Sequence, residues 1–208
     1  MQDFLQQFLH DIRNTTLLEY IAVFTGIGSV WFSKKENIWV YPVGLVNTII
    51  YIYLSFKYDL LGEASVNFYY TVMSIYGWIL WAKKDAAQHH VVHITFSDKK
   101  EWLRQIIFFL AFYIALFFAL TYLHQWFEKA IPWADAFASA SAYTGMWLMA
   151  KKKVESWYWW IATNVASVPL YFVKGLSFTS VYYVVLLVLA VGGLIEWKQR
   201  AEKVNGQW

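Results

Sequence analysis

Seven apolar stretches recur along the chain, at 16–33, 38–56, 63–82, 103–123, 134–150, 156–173 and 178–197. Each is close to the length of about 20 residues that an α-helix needs to cross a bilayer. The pattern predicts an all-α, polytopic membrane protein with seven transmembrane helices. A soluble domain is excluded by composition: 59% of the residues are hydrophobic and 15% charged, where soluble domains carry about a quarter charged. With no cysteine present, disulfides and thiolate metal sites drop out as well.

Residues 1–14 precede the first stretch and lack the basic start of a cleavable signal. Phe4, Leu5, Phe8, Leu9 and Ile12 follow helical spacing, which predicts an amphipathic segment lying on the membrane surface. Between the stretches, Lys and Arg alternate from side to side. Thirteen fall on one side, among them Lys34, Lys35, Lys83, Lys84, Lys151, Lys152, Lys153, Lys198, Arg200 and Lys203; Arg13, Lys57, Lys129 and Lys174 fall on the other. Basic residues are retained on the cytoplasmic side, so the amino terminus is expected outside and the carboxyl terminus inside.

The sequence also repeats. A shift of 117 sets Lys34-Lys35 on Lys151-Lys152 and Asn47 on Asn164, and a shift of 116 sets Gly77 on Gly193 and Trp81 on Trp197. Each unit holds three stretches, and the fourth (103–123), apolar all round, belongs to neither. The expected layout is therefore a 3+1+3 arrangement of two parallel three-helix repeats joined by a linker helix. In residues, 15–84 form the first repeat, 85–133 a cytoplasmic loop and the linker helix, 134–200 the second repeat, and 201–208 a cytoplasmic tail.

Polar and aromatic stripes run inside these stretches. Trp160, Asn164, Ser167 and Tyr171 stack on one helix face, and an amide there loses hydrogen bonding if it faces lipid. Asn67, Thr71, Ser74 and Trp78 form a second stripe, and Ser139, Tyr143 and Trp147 a third. Rings with a few amides and hydroxyls suit a ligand that has an aromatic ring and a polyol. Parallel-repeat carriers place such a ligand near the midplane, where Asn47 and Asn164 are expected to lie.

The stretches NIWVYPVGLVN (37–47), YYTVMSIYGWILWAKK (69–84) and WWIATNVASVPLYFVKGL (159–176), with the closing IEWKQR, resemble the bacterial nicotinamide riboside transporters of the PnuC family. The resemblance implies a SWEET-like fold in the inner membrane and facilitated diffusion of nicotinamide riboside, with a cytoplasmic kinase trapping the product. It implies ligand contacts at Trp160 and Asn164, no cofactor, and a homo-oligomer, a trimer being one such assembly. This chain departs from the family's Gln at Asn67 and from its Gln-Trp at Met146-Trp147.

Other classes fit less well. A SWEET-type sugar or other vitamin carrier shares the layout, but the Pro-Gln pair of the sugar carriers is missing. A retinal photoreceptor needs a lysine in the last span, and 178–195 has none. No paired carboxylates or histidines lie at depth for catalysis, and no GxxxxGK[ST] loop is present for ATP. His89, His90 and His93 read as a solvated loop. Trp39, Trp81, Trp102, Trp126, Trp133, Trp157 and Trp197 lie at span ends and are expected to anchor in the interfacial belt. Pro169 removes a backbone donor inside the sixth span and predicts a hinge there.

Overall fold

The computed structural model describes residues 2–57, 61–86, 88–123 and 131–205. Eight helices follow one another: α1 (Gln2–Asn14), α2 (Leu17–Lys34), α3 (Val40–Lys57), α4 (Leu61–Ala82), α5 (Lys99–Leu123), α6 (Pro132–Ala150), α7 (Ser156–Val173) and α8 (Ser177–Asn205). The described residues form no strand, only isolated bridges pairing Lys84 with His90 and Thr95 with Lys153. Helices α2 to α7 match the first six apolar stretches closely, whereas α8 runs past the end of the seventh at 197 and through the first part of the expected tail, to Asn205. Their starts are set by local chemistry. Thr16 and Glu19 close a capping box at α2, Asp98 and Glu101 exchange backbone bonds at α5, and Pro132 occupies the first turn of α6.

Among the described residues, α3, α5 and α8 are long and apolar enough to cross a membrane by length and composition. Helix α2 makes a fourth if it and α1, bent from it by 106°, count as one broken span. Helices α4, α6 and α7 fall short of the seven expected spans for a physical reason: their inward faces are polar or small. Asn67 and Ser74, the alanines of α6 with Ser141 and Thr144, and Asn164 with Ser167 are all buried against neighbouring helices. Helix α5 is the opposite case: Gln105 is the one residue of it that is buried, and the rest are exposed or half-buried.

Helix α2 packs on α3 and α3 on α4; α6 packs on α7 and α7 on α8. The two sets meet through α2 with α8 and α4 with α6, while α5 rests on α6 and α1 on α8. Contacts at the basic end recur at a spacing of 116. The Trp81 indole donates to Ala150 O at 3.1 Å, and the Trp197 indole donates to Ser33 O at 3.1 Å and Lys34 O at 3.2 Å. Tyr41 meets Trp81 edge to face at 5.2 Å, as Trp157 meets Trp197 at 5.5 Å. A methyl group on Gly77 would strike the Tyr41 ring at 2.5 Å, and one on Gly193 the Trp157 ring at 2.5 Å. Ser33 and Met149, 116 residues apart, touch each other.

This packing corrects two expectations. Trp81, Trp157 and Trp197 are not belt residues: they are at most 2% exposed and form the core where the two sets of helices meet. The Trp157 indole fills the space over Gly193, and the Trp81 and Trp197 indoles cap carbonyls at helix ends, a use that span-end position alone does not reveal. Trp39, Trp102 and Trp133 are exposed, as an anchor requires; Trp126 lies outside the described residues. The second correction concerns register. The Asn47 amide donates to Ala22 O at 2.6 Å and the Thr163 hydroxyl to Ala138 O at 3.5 Å, both at the 116 spacing. Asn47 therefore matches Thr163, and it is Thr48 that matches Asn164.

The amphipathic segment is the helix α1, whose Gln7 donates to Gly175 O and whose Phe8 ring lies 6.3 Å from Phe178. The side chains of Phe4 and Leu5 lie outside the described residues. At the opposite end, the basic loops gather. Lys152 pairs with Glu36 at 2.7 Å, Arg200 with Glu36 at 3.1 Å and Glu196 at 2.7 Å, and Lys153 with Glu101 at 2.8 Å. Burial raises the Glu101 pKa, but hydrogen bonds from Lys153 and the Asp98 N–H outweigh it and hold the carboxyl below the usual range.

Candidate binding site on the sixth and seventh helices

Helices α6 and α7 run antiparallel, since Gly145 faces Trp160 while Ala138 faces Thr163. The Trp160 ring lies flat over Gly145, where an added methyl would sit 3.2 to 3.3 Å from indole atoms. One turn further in the same direction come Ser141 on α6 and Asn164 on α7. Ser141 is fully buried, and among the described residues its hydroxyl has no hydrogen-bond partner. Asn164 is 3% exposed, and among the described residues its amide makes no hydrogen bond. Buried polar groups are normally satisfied, so two at the same level without a hydrogen bond among the described residues make this the candidate binding place.

Aromatic rings wall this place. Tyr70 of α4 lies 6.2 Å from Trp160 and 6.4 Å from Tyr143. Tyr69 lies 4.3 Å from Tyr143, and its hydroxyl donates to Tyr143 O at 3.1 Å. Phe112 of α5 closes the back at 5.2 Å from Tyr143. Asn67, one turn before Tyr70 and Thr71, is buried on α4, and Thr71 bridges to Thr48 of α3 at 2.9 Å. Ser167 is buried one turn beyond Asn164.

The structure does not bring every sequence candidate to this place. Trp147 turns to the basic end, stacking on Phe108 at 4.8 Å beneath Lys151 at 4.3 Å. Trp78 stays 39% exposed on the outer face of α4. Asn47 is committed to the Ala22 carbonyl, beside Gly26 and the Tyr182 hydroxyl. Tyr171 stacks on Tyr183 at 5.0 Å toward the other end, under a Lys174 that pairs with Asp135. Pro169 sits within α7 with its ring exposed, and Ser180 donates to the neighbouring Val168 carbonyl at 2.8 Å.

Sequence reasoning missed Tyr69, Tyr70, Ser141 and Gly145. Tyr70 was within reach, three residues from Asn67 on a helix face. Ser141 was not: in PWADAFASASAYTGM the small residues alternate with little polarity contrast, and Ser139, which falls on the stripe with Tyr143 and Trp147, is only half-buried.

The family model described as nicotinamide mononucleotide transporter matches residues 16–199. The riboflavin/roseoflavin transporter RibM of Streptomyces davaonensis is 25% identical over 184 residues, 86% of this chain and 83% of its own. The nicotinamide riboside transporters PnuC of Neisseria mucosa and Escherichia coli are 26% and 22% identical, covering 91% and 89% of this chain and 75% and 87% of theirs. The crystal structure of the vitamin B3 transporter PnuC shares the fold, with a TM-score of 0.74 and 24% identity over 96% of this chain and 88% of that one. The match along almost the whole chain makes this multi-pass protein a member of the nicotinamide mononucleotide transporter family, a membrane transporter and not an enzyme.

Proposed function

We propose that the protein carries nicotinamide riboside across the bacterial inner membrane by facilitated diffusion, binding it between α4, α6 and α7. The observation that carries this reading is Asn164, 3% exposed and without a hydrogen bond among the described residues, one turn from the Trp160 ring. The ligand's pyridinium ring carries a permanent positive charge and suits an indole face, while ribose hydroxyls suit Asn164 and Ser141. The lining favours the riboside over its phosphate. None of the residues named in this lining is basic, and Lys174, at the Tyr171 end of α7, is already paired with Asp135.

In this reading, helices α2 to α8 are seven spans in a 3+1+3 layout with the amino terminus outside. The 116-residue recurrence of contacts and the gathering of the basic loops at one end support it. Pro169 is the hinge, and a cytoplasmic kinase that phosphorylates the riboside keeps the inward gradient. The similarity to RibM supports a second reading, a flavin as cargo, since riboflavin also joins a flat ring to a polyol. Titrating the purified protein with nicotinamide riboside, nicotinic acid riboside, riboflavin and glucose separates the readings. The proposal expects the cationic riboside to bind tightest; tighter binding of riboflavin would replace it by the second reading.

A further inference from the structure

The basic end holds an open groove of about 500 Å³ between α2 and α8, lined by Lys34, Gly192, Ile195, Glu196, Gln199, Arg200 and Lys203. Its charges are unbalanced. Glu196, the one acid in the lining, already receives Arg200 at 2.7 Å and Lys35 at 3.2 Å. Among the described residues neither Lys34 nor Lys203 has an ion-pair partner. The Lys34 Nζ lies over Gly192, 2.9 Å from where a side chain there would begin.

The groove continues an apolar face. Val184, Val188, Val191 and Ile195 follow helical spacing along α8 and are 44%, 67%, 42% and 54% exposed. In a membrane protein that face is against acyl chains, and the groove lies where the chains give way to headgroups. We infer that this groove binds an anionic phospholipid, its phosphate between Lys34, Arg200 and Lys203 and an acyl chain along Val188 and Ile195. Basic pockets between helices at a membrane rim are suited to such headgroups. The inference rests on membrane insertion alone and is independent of the cargo.

The test is native mass spectrometry of the full-length protein equilibrated with equal phosphatidylglycerol and phosphatidylethanolamine. The parent should retain phosphatidylglycerol selectively. Selectivity should fall about fivefold for K34Q or K203Q and about thirtyfold for both together. K83Q/K84Q removes the same charge from another loop at that end and should leave it unchanged. G192L keeps every charge, fills the groove and displaces only the flexible end of Lys34, so it too should lose selectivity. Equal retention in the parent, K34Q/K203Q and G192L would overturn the site, as would equal losses in the loop control and the groove variants. Displacement of the lipid by millimolar inorganic phosphate would overturn the phospholipid assignment in favour of a soluble phosphate ligand.

Discussion

Glu36 and Lys152 stand 116 residues apart and meet in an ion pair at 2.7 Å, each in the same backbone conformation, with φ of 57° and 52°. They are corresponding positions of the two helix sets, brought face to face where those sets join. The Lys152 side chain is 6% exposed and also lies over the Trp81 ring at 4.6 Å. Removing Glu36 leaves a buried ammonium without its partner, whereas Lys152→Met removes the charge together with the need for one.

Glu36→Gln is therefore expected to destabilise the protein by about 2 kcal/mol, and Lys152→Met by less. Exchanging the two, Glu36→Lys with Lys152→Glu, should recover only part of the loss, because the new lysine at position 36 faces Arg200. Thermal unfolding in detergent reads all three. Equal losses for Glu36→Gln and Lys152→Met would show that the pair is not what holds this junction.

Gly145 sets where the Trp160 ring lies. An alanine there would place its methyl 3.2 to 3.3 Å from indole atoms, forcing the ring to move by a few tenths of an ångström. Such crowding costs about 1–3 kcal/mol in packed interiors. Gly145→Ala should weaken ligand affinity by about fivefold or more, with a changed tryptophan fluorescence response. Gly28→Ala, which meets only Val43 at an ordinary 3.6 Å, is the control and should bind normally.

Pro169 leaves the Val165 carbonyl without its helical donor. If that break is the hinge, Pro169→Ala should slow transport several-fold, with affinity changing by less than about twofold. Stopped-flow uptake into vesicles, set against equilibrium binding, measures the two separately. Unchanged rates would make the proline a static packing feature.

Transport should need no ion gradient. The Trp160 and Asn164 place has no carboxylate among its described contacts; Asp135 is paired with Lys174, and Glu196 with Lys35 and Arg200 at the basic end. A proton relay needs groups that titrate inside the membrane. In sealed vesicles the substrate should equilibrate across the bilayer without any gradient, and a pH or sodium gradient at zero potential should not concentrate it.

The helices were legible because apolar stretches of spanning length have few other uses, and the caps at Thr16 and Pro132 agree with them locally. The inward placement of Asn164 and Ser167 was legible for a related reason: a polar stripe in an apolar helix must face inward. What the pattern could not carry was packing across helices. Trp39 and Trp81 look alike at a span end, yet one is exposed and the other fills the central core against Tyr41 and Trp197. The matching of Asn47 with Asn164 failed similarly. Identity of type outweighed a one-residue register that is set by contacts to the Ala22 and Ala138 carbonyls.

The most direct measurement is the affinity of nicotinamide riboside for the parent, Trp160→Ala and Asn164→Ala, each confirmed folded by its thermal transition. Loss of the indole face removes stacking and cation–π attraction of about 1–2 kcal/mol, so Trp160→Ala should bind about 5- to 30-fold more weakly. Loss of the buried amide should cost about 1 kcal/mol or more. Unchanged affinity in both folded variants would contradict the account and move the site away from the junction of α6 and α7.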